Sequence, residues 1–187
     1  MSRVLAVVAL ALAAVAQLAE AQTAPRWLAE RDSTLTFIAT QQGAAFEGLF
    51  ESFEADVRFA PDQLDASSIA VTVDTGSVNT RLADRDEALR APEFFDVMRW
   101  PEARFEATEF IALGNDQYQA TGELTIRDQS RAINVPFVFR ATGDSRAQMT
   151  GEVNVPRLSF GVGQGEWADT TWIGANVRVL FTINLLR

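Results

Sequence analysis

The 187-residue sequence contains no cysteine and no histidine, and its sixteen basic residues are all arginine. Without imidazole, thiol or amine side chains, the chain cannot assemble a Ser-His or Cys-His nucleophile, a Schiff-base lysine, or a zinc site of imidazole and thiolate ligands. A disulfide framework is excluded too, so an apolar core must hold the fold. Only carboxylates, hydroxyls, one tyrosine and arginine remain for chemistry.

Basic residues are also outnumbered: the sequence has 16 basic and 25 acidic side chains, so its formal net charge is −9 at pH 7. Nucleic acids and anionic membrane surfaces repel an acidic protein. The sequence therefore predicts no nucleic-acid partner and favours a neutral or weakly charged ligand.

The first 21 residues indicate a secretory signal peptide. Arg3 gives a positive start, residues 4–16 are uninterruptedly apolar, and residues 19–21 form a small-x-small cleavage site. The alternative is a membrane-spanning helix, but thirteen apolar residues fall short of the about 20 that cross a bilayer. A lipoprotein anchor would need a cysteine. We expect a soluble exported domain over residues 22–187, with residues 1–21 removed.

Apolar and polar side chains alternate with a period of two through most of this domain, which predicts strands. Short turns such as residues 114–116 join most of them, as is typical of an all-β antiparallel barrel or sandwich. Eight strands are predicted, with inward-facing residues within 35–39, 46–59, 69–73, 103–107, 118–126, 133–139, 149–155 and 177–185.

Two of these strands carry predicted irregularities. The apolar parity switches near Glu51 and Ser52, which predicts a bulge or sharp bend of the kind that curls a sheet toward closure. Pro136 lacks a backbone donor, which predicts a ladder irregularity or a locally unpaired edge.

Residues 81–101 are the one long segment that does not alternate, and they predict a short helical insertion after the third strand. Leu82 and Leu89 lie seven apart on one helical face, and Asn79 and Thr80 are candidate caps. A fresh helical turn after Pro92 brings two adjacent phenylalanines, so the segment predicts an amphipathic lid.

Large and very small side chains are mixed on the inward faces. Eight strands leave an interior that side chains can just fill or that can hold one slender ligand. The mixture fits a tunnel, and it fits equally well a solid core in which small residues let large ones interdigitate.

The ordered motifs of the domain resemble the YceI family over essentially its whole length. The residues that carry the resemblance are Trp27, 33–37, 48–53, 71–81, Arg85, Asp86, 89–96, Trp100, Pro101, Phe105 and 122–127. The resemblance implies a bacterial periplasmic protein with an extended, lipocalin-like, eight-stranded antiparallel barrel. Its lumen would bind an isoprenoid-type lipid, such as a polyprenyl quinone or a polyprenyl phosphate.

Two positions depart from the family pattern. Family members often carry a histidine near the end of the first strand, where Thr40 and Gln41 stand, and another where Glu87 stands. Head-group contacts by those imidazoles are therefore absent. Residues 160–179 resemble the branch found with membrane cytochromes of the b561 type, which favours a quinone and makes a b-type cytochrome a candidate partner.

We expect the apolar tail of such a ligand to lie among inward-facing aromatic side chains. The predicted channel residues are Phe37, Phe50, Phe53, Phe105, Tyr118 and Phe137, and the predicted mouth residues are Phe94, Phe95 and Trp100. Ordinary burial in a core is the alternative for each of them.

Arg85 and Arg90 have two interpretations. As ligand contacts, their guanidinium groups could bind a phosphate or a quinone carbonyl. As structural residues, they would form ion pairs with acidic side chains along a solvated helix face. Asp86, four residues before Arg90, would be the partner of Arg90.

Three classes of function remain open. The binding protein is the main prediction, without metal, catalytic residue or cofactor other than the bound lipid or quinone. An enzyme would have to use carboxylates such as Asp84 with Asp86, or Glu166 with Asp169. We predict no catalytic activity. A non-catalytic module that meets a membrane electron-transfer partner is the alternative, and a homodimer is left open.

Overall fold

The computed structural model describes residues 23–187 and is an all-β barrel with one short α-helix. The predicted signal peptide lies outside the described residues. The strands are β1 (Arg26–Ala29), β2 (Thr34–Gln41), β3 (Ala44–Phe50), β4 (Phe53–Arg58), β5 (Ser68–Asp74), β6 (Val78–Asn79), β7 (Glu102–Gly114), β8 (Gln117–Ile126), β9 (Gln129–Gly143), β10 (Arg146–Pro156) and β11 (Asn176–Leu186). The helix is α1 (Ala83–Arg90).

The predicted eight-stranded antiparallel barrel is confirmed. The second predicted strand is divided into β3 and β4 by a break at Glu51 and Ser52, where the parity switch lies. β3 pairs with β2, whereas β4 pairs with β5. At the break the chain leaves β2 and joins β5, at the opposite edge of the sheet. β1, which pairs with both β4 and β11, then closes the barrel by hydrogen bonds.

The strands β1 and β6 were not predicted. β1 lies between β4 and the end of β11 and pairs with both. Trp27 of β1 is buried, and its indole Nε1 donates to the carbonyl of Phe59 at 2.9 Å. Four residues are too few to show a period of two, so this strand could not be recognised from alternation.

The irregularity predicted at Pro136 is confirmed. β9 and β10 pair from their shared turn only as far as Phe137 and Gly151. Within residues 23–187, no pairing continues beyond that point, although β9 extends to Gln129 and β10 to Pro156. β8 stays paired with β9 along its whole length, so the ladder opens on one side of β9 only.

Helix α1 follows β5 and β6, in the predicted place. Asp84 and Asp86 lie in its first turn and Arg90 in its last, as the helix dipole favours. The predicted caps were wrong, because the N-cap is Leu82 and it makes no side-chain hydrogen bond. Within the described range, no helix is long and apolar enough to cross a membrane.

Candidate ligand-binding cavity

An apolar cavity of about 460 Å³ occupies the half of the barrel next to α1. This volume is within the about 300–1,000 Å³ of ligand pockets. Every long strand of the barrel contributes inward-facing residues to its wall, among them Leu35, Ala55, Val71, Val73, Ala103, Ile133, Val153, Val179 and Phe181. Because its lining is almost wholly hydrocarbon, the cavity suits an apolar ligand.

Glycines in the wall explain why the cavity stays open. Phe37 pairs with Gly48, and Phe181 pairs with Gly151. In each pair a Cβ on the glycine would collide with the partner's ring. The rings therefore lie flat on the wall over the glycines instead of reaching across the axis. This arrangement favours the tunnel over the solid core in this half of the barrel.

The other half of the barrel is a packed aromatic core centred on Phe59, which is fully buried. Its ring centroid lies 5.0 Å from that of Tyr118, 5.3 Å from that of Phe137 and 4.8 Å from that of Phe139. Tyr118 and Phe137 stack at 5.6 Å. The cavity is therefore closed at this end. Phe137 forms part of its floor, while Tyr118 lies below the floor and outside the lining.

Burial in this core raises the pKa of the Tyr118 phenol, and Asp116 raises it further. Tyr118 is the only tyrosine of the chain, so phenolate absorbance reports its ionisation directly. We expect an alkaline titration midpoint above about 10 in the folded protein and near 10 in guanidinium. Because the unfolded phenol ionises first, stability should be complete below about pH 10 and should fall as the pH rises further.

The matched variant Tyr118→Phe should abolish this absorbance change and leave the fold intact. A folded-state midpoint at or below that of the denatured protein would contradict the buried placement of the phenol.

The mouth of the cavity lies beside α1. Leu82, Asp84 and Ala88 are the exposed residues among those that line it. Phe46 of β3 faces them, and its ring lies 3.9 Å from the guanidinium carbon of Arg85. Phe94 and Phe95, which follow α1, also line the cavity. The helix and the turn after it therefore form the predicted lid.

The structure gives Arg85 and Arg90 different environments. Arg90 donates from Nε to the carbonyl of Gly76 and from Nη2 to that of Val78, each at 2.7 Å. It anchors α1 to the barrel and does not line the cavity. Arg85 lines the cavity, and its Nε is buried without a hydrogen-bond partner in the described chain. A polar ligand atom at the mouth would supply that partner.

The predicted pairing of Asp86 with Arg90 was wrong. Asp86 is buried, and its Oδ1 accepts hydrogen bonds from the backbone N–H and the hydroxyl of Thr80, both at 2.7 Å. The carboxylate fixes the chain where it enters the helix. Helical spacing places Asp86 and Arg90 on one face, but it could not show that this face is turned to the barrel.

Trp100 does not line the cavity. Its ring contacts two arginines, because the guanidinium carbons of Arg99 and Arg127 each lie 4.5 Å from its centroid. Arg127 also donates to the carbonyls of Pro92 and Phe94. Trp100 and Arg127 thus stabilise the turn that contains Phe94, from outside the cavity.

Arg157 is a residue at the cavity that the sequence analysis did not single out. It is 3% exposed, and no carboxylate of the described chain forms an ion pair with it. Burial lowers the pKa of its guanidinium. The group donates instead to backbone carbonyls: Nε to Gly174, Nη1 to Val162 and Gly163, and Nη2 to Trp167 and Ile173, at 2.7–3.2 Å. Arg157 therefore holds in place the long loop between β10 and β11, residues 157–175.

The predicted site residues divide into two groups. Those that line the cavity are Phe37, Phe50, Phe53, Phe94, Phe95, Phe105, Phe137 and Arg85. Tyr118, Trp100 and Arg90 support the floor, the lid and the helix. Contact of any of them with a ligand stays a prediction.

The chain is similar to proteins of one family. A family model described as a YceI-like domain matches residues 28–185. A UPF0312 protein of Vibrio cholerae is 29% identical over 136 residues, which cover 70% of this chain and 72% of that protein. A UPF0312 protein of Pseudomonas aeruginosa is 32% identical over 120 residues, which cover 62% of each.

Solved structures share the fold. The crystal structure of BcnA from Burkholderia cenocepacia superposes with a TM-score of 0.79 at 27% identity, over 81% of this chain and 95% of that one. A polyisoprenoid binding domain from Saccharophagus degradans superposes with a TM-score of 0.69 at 13% identity, over 86% of this chain and 97% of that one. At so low an identity, the second likeness shows the fold alone.

Proposed function

The chain belongs to the YceI family, and on that premise we propose that it is a periplasmic binding protein that holds an isoprenoid-type lipid in its barrel. The observation that carries the proposal is the apolar cavity of about 460 Å³, closed at one end by aromatic residues and open at the other beside Arg85. The similarly folded domain from Saccharophagus degradans is described as polyisoprenoid binding, which supports the same ligand class. The periplasmic location rests on the predicted signal peptide.

Hydrocarbon burial alone supplies useful affinity. At about 0.8 kcal/mol per buried CH₂, about ten prenyl carbons contribute about 8 kcal/mol, against ordering costs of several kcal/mol. The rings of Phe37, Phe50, Phe53 and Phe105 offer flat apolar surface to such a chain. The head group then needs only one polar contact at the mouth, where the Nε–H of Arg85 has no acceptor in the described part of the chain.

We propose binding without catalysis. Among residues 23–187, Asp84 is the one carboxylate that lines the cavity, and it is exposed at the mouth. Glu166 and Asp169 do not line the cavity, and hydrogen bonds from the backbone N–H and hydroxyl of Thr171 lower the pKa of Asp169, so this carboxylate is ionised at neutral pH and has no proton to donate as a general acid. Acid-base hydrolysis requires two carboxyl groups whose pKa values are shifted apart. Within the described residues, the cavity offers only one carboxyl group, that of Asp84.

Native mass spectrometry of protein purified from the periplasm without detergent tests the proposal. We expect about one prenyl compound per chain. Absence of any such compound, together with no uptake of added ubiquinone or polyprenyl phosphate, would overturn it. An accessory module for a membrane cytochrome would give that negative result and would instead co-purify with its partner.

Replacement of Arg85 by methionine tests the head-group contact and separates the two candidate ligands. A charge-assisted hydrogen bond to phosphate contributes about 1.5–3 kcal/mol, whereas one to a neutral carbonyl contributes less. We therefore expect affinity for geranylgeranyl phosphate to fall at least about tenfold, and affinity for a short-chain ubiquinone to fall a few-fold, in calorimetric titrations.

Arg81→Met is the matched control, because Arg81 is exposed and lies four residues away. It removes the same charge without touching the cavity, so its affinities should stay near those of the unmodified protein. Equal losses in both variants would indicate a general effect of charge and would contradict a direct contact by Arg85.

A further inference from the structure

Two neighbouring segments beside the mouth carry no charge. Residues 40–46, at the turn between β2 and β3, and residues 170–176, before β11, contain no charged side chain, although 22% of the chain's residues are charged. The N–H of Gln42 donates to the carbonyl of Trp172, and the N–H of Gly174 donates to that of Thr40, both at 2.8 Å. We call the two segments together the neutral rim.

Large apolar side chains stand exposed at this end. Trp172, in the neutral rim, is 53% exposed, and Leu82, immediately before α1, is 49% exposed. Both are next to the opening, because Ile173 and Gln41 of the rim and Leu82 itself line the cavity. Exposure of tryptophan to water is unfavourable, and its amphipathic indole is stable at the boundary between water and lipid.

We propose that the neutral rim, with Trp172 and Leu82, docks the mouth of the cavity onto the surface of a zwitterionic lipid bilayer. The inference rests on the proposed function, because a water-insoluble ligand must pass between the cavity and a membrane. With the rim on the bilayer, the ligand crosses no water on its way.

The charge distribution selects the type of bilayer. The exposed charged residues that flank the rim in the chain are Glu47, Asp169 and Arg178, and those that flank Leu82 are Arg81 and Asp84. These positions give anionic head groups no surplus of positive charge, and the net charge of the chain is −9. Anionic head groups would be repelled, whereas a zwitterionic surface meets an uncharged rim without electrostatic cost. Insertion of few apolar side chains gives weak and reversible binding, which suits a carrier that must leave the membrane again.

Vesicle partitioning tests the proposal on the full mature chain, with no prenyl lipid present. We expect the protein to float with phosphatidylcholine vesicles, and anionic phosphatidylglycerol to weaken this binding. Trp172→Ala should lower the partition coefficient at least about fivefold, and Trp172→Phe should retain most of it. Brominated phosphatidylcholine should quench part of the tryptophan fluorescence of the unmodified protein. This quenching should be lost in Trp172→Phe, because the tryptophan that contacts the lipid is gone.

Leu113→Ala is the matched control. Leu113 has the same 53% exposure as Trp172, but it lies near the β7–β8 turn at the closed end of the barrel, so its removal should leave partitioning unchanged. No partitioning, partitioning only onto anionic vesicles, or equal losses in Trp172→Ala and Leu113→Ala would each overturn the proposal. Binding to native membranes that protease treatment abolishes would assign the rim to a protein partner, which would also overturn it.

The two proposals can fail separately. A prenyl compound in the purified protein without vesicle binding would overturn only the docking surface. Vesicle binding without any prenyl ligand would overturn only the proposed function.

Discussion

Replacement of Arg157 by methionine is expected to lower the free energy of unfolding by about 3 kcal/mol or more. The guanidinium donates to the carbonyls of five residues in the loop before β11. Methionine fills similar space but donates to none of them, and each buried unsatisfied polar group costs about 1–3 kcal/mol unless water reaches it. Denaturant titration followed by tryptophan fluorescence measures the loss.

Arg178→Met is the matched control, because Arg178 is exposed on β11, and its change should stay within about 0.5 kcal/mol. Arg157→Lys keeps the charge but lacks the planar array of donors, so it should recover less than half of the loss. Equal stability of Arg157→Met and Arg178→Met would contradict the structural role of Arg157.

Replacement of Val71 by tryptophan is expected to lower lipid affinity more than about a hundredfold while the barrel stays folded. Val71 lines the cavity and pairs with Ala55 on one side and Phe105 on the other, both of which line it too. An indole at this point excludes about four carbons of a bound chain, which costs about 3 kcal/mol of hydrocarbon burial. Titration with a prenyl ligand measures the change.

The matched control is Ala70→Trp, one residue earlier on the exposed face of the same strand. It introduces the same side chain outside the barrel and should leave affinity unchanged. Melting temperatures of both variants verify folding. Undiminished binding by Val71→Trp would show that the ligand lies elsewhere, and the proposed cavity site would be abandoned.

Much of the fold could be predicted because alternation reports which face of a strand is buried. The parity switch at Glu51 and Ser52 is the clearest case, since it marked where one strand exchanges β2 for β5 as its partner. Pro136 was informative for a different reason. Proline has no backbone N–H to donate, so it limits the hydrogen bonding of a strand whatever the position of that strand in the sheet.

The candidate site was predictable only in part. Alternation places Phe137 and Tyr118 on the inside alike, but the height of each residue along the barrel axis depends on strand tilt and register, which a single sequence does not contain. Arg85 and Arg90 were likewise indistinguishable until the tertiary structure gave Arg90 two carbonyl acceptors. Arg157 gave no signal, because its partners are backbone atoms and can belong to any residue type.

The closed aromatic end of the barrel has a consequence for the order and length of what can enter. A chain-shaped molecule that enters by the mouth beside α1 goes in tail first and comes out head first, because the aromatic end of the cavity is closed. The orientation of the guest is then fixed before any specific contact forms. The depth down to Phe137 then acts as a ruler: a tail that matches it brings its head group level with Arg85, whereas a longer one leaves its head group in front of the helix. Selectivity for chain length would thus arise from geometry alone.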